Sequence, residues 1–449
     1  MTTQTEPAVS LRTATPASAP PAGDEAAAVA DALRPRVMGP RLSAVLGRTA
    51  PCHVLDAKYE PGLRAMVLYQ HGGTLVRGDL LVPPSAEPAA RGVFVAPGVR
   101  ITPFPHDPDL PSLPALAHGR GIATWLADAL PGSSPAGRRA LRLRCRVQLL
   151  RYRPGKRATV LLSAPGAGPL IAKAYHDPAK ASAVVAEAAV LAGLPTAEGL
   201  LRLAPTVAFE DSLAVVVQEA VPGSPLDRSL GGPRGRGAYC ADELARTARA
   251  LVELHEGAPS GRAVTARERP VSKELDRFVL RADRIASVDA HVGERLLGLA
   301  ARLLAVQEAL PAGPVGLVHG DCKPSQFLLD DRHVHLLDLD HCGTGDQATD
   351  AGTFLATLRQ QAVRERLAAV RAGRPDPTES LATLADVFRR AYLEARALDG
   401  LAARIRWHEA VALERKALRA FARAPRSALP TALVDAGHGC LDELDRELS

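Results

Sequence analysis

Val318-His319-Gly320-Asp321-Cys322-Lys323-Pro324-Ser325-Gln326-Phe327-Leu328-Leu329, a turn at Asp330-Asp331, and His333-Val334-His335-Leu336-Leu337-Asp338-Leu339-Asp340 form the stretch that decides how this chain is read. Two short apolar runs bracket a polar loop that carries an acid, a cation and an amide. Strands on either side hold such groups in place, which is how a chain prepares side chains for chemistry. The island, Val315 to Asp340, is the one strand-rich interruption in a region whose periodicity is helical from Asp242 onward.

Working outward, Val147 to Tyr152 reads as a strand leading into Arg153-Pro154-Gly155-Lys156-Arg157, with Ala158 to Ser163 returning. Proline presets the first turn position and glycine supplies positive φ at the second, so this is a hairpin with a basic turn. A third strand, Leu170 to Tyr175, follows the Gly/Pro loop Pro165 to Pro169, and Lys180 to Leu194 reads as a helix. Leu213 to Gln218 is almost continuously apolar, as a buried strand is, and Pro222-Gly223 stops it.

Between Arg36 and Gly137, short runs such as Ala65 to Tyr69 and Leu80-Leu81-Val82 alternate with Pro and Gly, predicting a small sheet-containing subdomain. Tyr59-Glu60-Pro61-Gly62-Leu63-Arg64-Ala65 echoes Tyr152-Arg153-Pro154-Gly155-Lys156-Arg157-Ala158. The plainer reading is two unrelated Pro-Gly hairpins, and the alternative is a partly duplicated sheet. The Pro-, Ala- and Thr-rich start cannot bury enough apolar surface to offset ordering entropy. The expected organisation is a disordered tail (1–35), a cap-like subdomain (36–140), a sheet-rich lobe (141–222) and a helical lobe (223–449).

With 449 residues, 47% hydrophobic but only 4% aromatic, the chain predicts an Ala/Leu-packed α+β protein weighted to helix. A formal charge of +6 tolerates anionic partners, but Arg is scattered and not interleaved with aromatics, so no nucleic-acid partner is expected. Six cysteines without a C-x-x-C pair fit a reducing cytoplasm. No run of 18 apolar residues occurs, so no membrane span is expected.

H-G-D-x-x-x-x-(N/Q), followed by an Asp at the end of the next strand, resembles the aminoglycoside phosphotransferase and choline kinase superfamily across roughly Leu141 to Ala422. The resemblance implies a protein-kinase-like two-lobed fold with an extra N-terminal subdomain, ATP or GTP with Mg²⁺, and a hydroxyl acceptor. It implies Asp321 as the catalytic carboxylate, Lys323 as the cation beside the transferring phosphoryl group, and Gln326 and Asp338 as oxygen ligands to Mg²⁺. Lys173 on its strand and Glu187 fourteen residues later match the pair that aims a lysine at the α- and β-phosphates. Gln218-Glu219-Ala220 would be the hinge that meets the purine. The turn Gly155-Lys156-Arg157 either covers the phosphates or is a solvated hairpin tip.

Gly345-Asp346 and Asp350 match the G-D-x-x-x-D stretch of the superfamily, with Asp350 capping a helix or bracing the loop. Asp340, placed on the same strand face as Asp338, would support the metal or share it. His319 reads as a brace and not a proton shuttle. Gln326 replaces the commoner Asn, a feature shared with maltokinase-like members, as is the added N-terminal segment. Asp338-Leu339-Asp340 lacks the usual Gly, and no A-P-E sequence follows, which argues against a regulated protein kinase.

The expected function is therefore transfer of the γ-phosphoryl group to a small molecule such as an aminoglycoside, amino sugar or sugar, by a monomer or weak dimer. Alternatives are a catalytically weak kinase-fold binding module or a kinase acting on a peptide Ser/Thr hydroxyl. A zinc hydrolase using Cys322, His333, His335, His341 and Cys342 is a distant rival. Leu251 to His255, Phe278, Trp407 and Glu414 are candidate walls of the acceptor cleft, although Trp407, Val411, Leu418 and Phe421 read most simply as core. A cationic antibiotic calls for an acidic cleft, to which Asp435, Asp442, Glu443, Asp445 and Glu447 would contribute unless they form a solvated last helix.

Overall fold

The computed structural model describes residues 25–80, 92–96, 98–118, 120–129, 139, 142, 144–165, 167–192, 199–230, 238–257, 267–376 and 378–448. The chain divides into two compact units, the first comprising Met1–Ala186, Pro205–Ala220 and Ala422–Ala424, the second the remainder. The first unit is sheet-rich and the second helical, the α+β class expected. Among the described residues no helix is long and apolar enough to cross a membrane.

The first unit opens with α1 (Glu25–Ala32) and α2 (Pro35–Leu46). Residues 1–24 of the expected tail lie outside the described residues, but the rest of that segment is structured. Val29 and Ala32 are buried, and the Tyr69 hydroxyl donates to the Ala32 carbonyl at 2.8 Å. The helix therefore buries enough apolar surface to be held. Next come β1 (Cys52–Glu60), β2 (Arg64–His71), β3 (Thr74–Leu80), β4 (Val93–Ala96) and β5 (Val99–Pro103), paired in the order β1-β2-β3-β5-β4. Leu81 and Val82 of the expected run lie outside the described residues.

After α3 (Leu113–His118) and α4 (Arg120–Ala129) comes a second sheet. Its strands are β6 (Arg146–Arg153), β7 (Arg157–Ala164), β8 (Ala167–Tyr175), β10 (Thr206–Glu210) and β11 (Val215–Glu219). In sequence α5 (Pro178–Ala192) and β9 (Leu201–Leu203) come between β8 and β10, and β9 belongs to the second unit, where it pairs with Val334–Leu336. The order, β6-β7-β8-β11-β10, is that of the first sheet: a three-strand meander, the fifth strand beside the third, and the fourth at the edge.

The echoed turns coincide in register, with Tyr59 opposite Ala65 and Tyr152 opposite Ala158. The structure therefore supports the alternative of a repeated sheet over two unrelated hairpins. Local chemistry showed only the turns; the strand order needed long-range pairing. Leu68, Leu110, Leu113, Tyr152 and Ala158 form one buried cluster joining the two sheets.

In the second unit, β12 (Ser224–Pro225) leads to α6 (Leu226–Ser229), α7 (Ala238–Glu256), α8 (Val271–Ala286) and α9 (Ala290–Ala309). The strand island follows as β13 (Val315–Val318), β14 (Phe327–Leu329), β15 (Val334–Leu336) and β16 (Gly343–Asp346). It pairs as a β12-β14-β15-β9 sheet and a β13-β16 ribbon. Four helices complete the unit: α10 (Ala348–Arg371), α11 (Glu379–Ala395), α12 (Leu401–Arg423) and α13 (Leu429–Leu448).

Under the island, Phe354 of α10 stacks on Phe388 of α11 with centroids 4.0 Å apart and meets Phe327 of β14 edge-on at 5.9 Å. Aromatic packing of this kind fixes the floor on which the polar loop sits. Trp407, Val411, Leu418 and Phe421 are core, as read, and the Trp407 indole donates to the Leu303 carbonyl at 3.0 Å. Asp340 is not on a strand with Asp338. β15 ends at Leu336, Asp338 adopts φ 61° and ψ 57°, and Asp340 lies in a 3-10 turn. That left-handed residue breaks the period of two on which a shared face depends.

Candidate active site

The loop after β13 is shaped by one carboxylate from α10. Asp350, fully buried, accepts the His319 N–H at 2.6 Å and the Gly320 N–H at 2.8 Å. It also accepts from His255 Nε2 at 3.1 Å, while His255 Nδ1 pairs with the Tyr392 hydroxyl at 2.8 Å. Burial lowers the His255 pKa, and the Asp350 carboxylate acts against it. A neutral ring that donates to Asp350 and accepts from Tyr392 satisfies both contacts.

His319 Nε2 donates to the Leu337 carbonyl at 2.8 Å, and Nδ1 accepts the Asp321 N–H at 3.3 Å. His319 is therefore a brace that ties the loop to the backbone just before Asp338. Gly320 has φ 75°, and a Cβ there would come within 2.3 Å of the His341 carbonyl oxygen, so only glycine fits this close approach.

On this frame Gln326, in the 3-10 turn Pro324–Gln326, places Nε2 3.2 Å from Asp338 Oδ2. Two hard-oxygen residues from different elements thus converge, and a flip of the amide would turn Oε1 to a cation in the same place. Asp338 is held in the left-handed region that β-substituted residues seldom adopt, a local cost that functional sites often carry. The donor set fits Mg²⁺.

Asp321 forms an ion pair with Lys323. Burial acts to raise its pKa, but the Lys323 ammonium, with Arg419 and His341, outweighs burial and holds the carboxyl well below the usual range. Asp321 faces a cleft of about 410 Å³ whose walls include Phe278 of α8 and Arg415 and Arg419 of α12. Of the other proposed walls, Trp407 is core and Glu414 is fully buried with both carboxyl oxygens unpartnered, its pKa pushed well up by burial. His255 is spent on Asp350.

The acidic residues of α13 are also spent. Asp435 pairs with Arg295, Asp442 and Asp445 with Arg302, and Glu443 and Glu447 with Arg406. Asp346 of the G-D stretch is clamped by Arg404 and His408. Neither partner could be named from motif spacing, because each sits dozens of residues away in sequence.

Lys173 lies buried on β8 in the first unit. Glu187 is buried in the second, where Arg267 Nη2 approaches Oε1 at 3.5 Å, a partner the sequence reading did not name. In the expected hinge, Gln218 is buried and its amide donates to Thr206 at 3.4 Å. The Glu219 and Ala220 N–H groups donate to the Pro205 and Pro169 carbonyls.

The basic turn is held from its inner side, while Lys156 stays exposed. Asp107 accepts the Gly155 N–H at 2.7 Å and the Tyr152 hydroxyl at 2.8 Å, and Lys58 donates to the Pro154 carbonyl at 3.4 Å. Cys322 and Cys342 are fully buried. Among the described residues the one group of three metal-capable side chains is Asp330, His333 and His335, which none of Cys322, His341 and Cys342 joins.

The fold is shared with solved structures. Choline kinase from Cryptosporidium parvum matches with a TM-score of 0.51 and 11% identity, covering 73% of this chain and 96% of that one. A macrolide 2'-phosphotransferase from Brachybacterium faecium (TM-score 0.41, 16% identity, 70% and 97% covered) is also similar. So is an aminoglycoside phosphotransferase from Alicyclobacillus acidocaldarius (0.41, 20%, 68% and 93%). No curated protein sequence matches the chain. Residues 151–403, more than half of it, match the model of the phosphotransferase enzyme family, and the chain belongs to that family.

Proposed function

We propose that this phosphotransferase moves the γ-phosphoryl group of ATP or GTP to a hydroxyl of a small molecule seated in the cleft at Asp321. The observation that carries the reading is the convergence of Gln326 and Asp338 within 3.2 Å on the frame that also presents Asp321. Gln326 and Asp338 would hold Mg²⁺, which neutralises phosphate charge when bound. Lys173, with Glu187, would grip the α- and β-phosphates, and Gln218 to Ala220 would border the base. A maltokinase-like affinity rests on Gln326 and the added N-terminal sheet alone.

In the transfer, the acceptor oxygen bonds to the γ-phosphorus while the bond to the β,γ-bridging oxygen breaks, its electron pair leaving with the nucleoside diphosphate. Asp321 orients the hydroxyl and takes its proton as the new bond forms. A carboxylate stabilised by Lys323 is a weak base, so its service is mainly position. Lys323 then stabilises charge on the transferring group.

Asp321→Asn should lower nucleotide consumption by roughly 10²–10⁴-fold with unchanged melting. Wild-type-like turnover in that variant would remove Asp321 from the chemistry. Because Asp321 is ionised throughout the working range, its loss of charge should not limit kcat above about pH 5. Lys323→Ala should move the acid limb upward by about a unit or more, read from a pH–rate profile.

A further inference from the structure

We propose that the acceptor is an anion: a hydroxylated small molecule that already carries a phosphate or carboxylate group. This rests on the phosphotransferase reading above and concerns the same cleft.

The sequence of α8 alternates two faces. Leu275, Phe278, Ala282 and Ile285 are buried. Lys273, Arg277 and Arg281, each four residues apart, form a stripe that lines the cleft. Residues four apart share a helix face, so three cations project together. Arg267 and Arg269 enter from the segment before α8, and Arg415 and Arg419 from α12. Seven cationic side chains thus line about 410 Å³, against the three carboxylates of Glu268, Glu274 and Asp321. Two of those three already have cationic partners, Arg415 at 3.3 Å from Glu274 and Lys323 at Asp321.

The cations are built into the wall. Arg269 donates to the His341 carbonyl at 2.7 Å and Arg267 to the Asp340 carbonyl at 2.8 Å. Arg415 donates to Thr353 at 3.0 Å. Burial first, and then the Arg415 charge, lowers the pKa of Arg269.

A second feature points the same way. Pro270 and Val271 line the cleft, and the 16-residue α8 starts there with no side chain capping its first turn. The positive end of its dipole, where Pro270 offers no side chain to cap the first turn, faces a site that suits an anion. A cleft with this balance repels a cationic aminoglycoside, and a concave low-dielectric wall strengthens the effect. Its volume suits a small molecule. The hydroxyl to be phosphorylated would lie at Asp321 and the anionic group toward α8.

Calorimetric titration of the full chain tests this, using inorganic phosphate, glycerol 3-phosphate, glucuronate and glucosamine, each with and without saturating non-hydrolysable ATP analogue and Mg²⁺. At least one of the three anions should bind, more weakly at high salt, and should bind the analogue-loaded protein as well. Glycerol 3-phosphate against glucuronate tells phosphate from carboxylate. Lys273→Glu/Arg277→Glu should weaken anion binding roughly ten- to a hundredfold. Arg371→Glu, the same kind of charge change outside the cleft, should not, and melting curves check that each variant is folded.

Preference for glucosamine, loss of anion binding when the analogue is present, insensitivity to the paired reversal, or no anion binding below about 10 mM would each overturn the inference. Analogue binding in the same titrations separates the two readings. Analogue bound without anions leaves the phosphotransferase reading standing and this one lost. Anions bound by a chain that binds no analogue would leave an anion site but remove the phosphotransferase reading, and with it the claim that the anion is the acceptor.

Discussion

The two five-stranded sheets of the first unit follow one path and turn through one motif, yet they carry opposite charge at one matched position. Counting from the echoed turns, Met66 faces Asp79 on β3, and Thr159 faces Lys173 on β8. The lysine expected to meet phosphate thus has a carboxylate as its counterpart. Asp79 is held by Arg77 at 2.9 Å and Arg100 at 3.7 Å, and Arg77 runs on to Asp107. Asp107 in turn grips the Gly155 turn of the other sheet. One sheet uses these charges to hold the other's turn, and the other carries at the matched position the lysine proposed to meet a triphosphate. A shared path does not fix a shared function, which lives in the side chains placed on it.

The sharpest way to break this contrast is to exchange its terms. Lys173→Ala should lower kcat/KM for the nucleotide by roughly 10²–10⁴-fold, because positioning and charge neutralisation are most of what phosphoryl transfer asks of the protein. Asp79→Ala should leave turnover within about twofold yet cost about 2–4 kcal/mol of stability in denaturant melts, since Arg77 and Arg100 each lose a buried partner although Arg77 keeps Asp107 and Asp109. Equal losses of turnover in the two variants would mean that the sheets are not functionally distinct.

A smaller effect is expected at the clasp. Asp107→Asn keeps the shape but removes the charge facing Arg77, and should cost about 2–3 kcal/mol in the same melts. An unchanged midpoint would show the clasp to be passive.

The finest comparison lies in the turns themselves. Gly62 and Gly155 have φ of 70° and 66°, but a Cβ at Gly62 meets nothing within 4 Å, while at Gly155 it meets Asp109 Oδ2 at 2.9 Å and Arg77 Nη1 at 3.3 Å. Gly62→Ala should cost about 1 kcal/mol, the left-handed penalty alone, and Gly155→Ala about 1–2 kcal/mol more. Equal midpoints would remove the asymmetry between the turns.

Much of the site could be read directly. The order Lys173, Glu187, Asp321, Gln326, Asp338 lies along the chain, and the superfamily resemblance, more than periodicity, singled these residues out. The clamp at Asp350 was legible only as a choice between cap and brace, because its partners, His319, Gly320 and His255, lie up to 95 residues away. The stripe at Lys273, Arg277 and Arg281 was present as a four-residue spacing but had no meaning until α8 was set beside Asp321. The acidic residues of α13 were open between cleft and surface, and arginines of α9 and α12 settled them as helix ties.

By itself the sequence determined the element types, the Pro-Gly hairpins and the polar loop between apolar strands, since these follow from local periodicity and turn chemistry. Tertiary structure decided that the hairpins begin two sheets of one strand order, that Gln326 meets Asp338, and that the cleft at Asp321 is cationic. Those depend on register and on helices brought together from distant parts of the chain, where contacts are set by packing and not by spacing along the backbone.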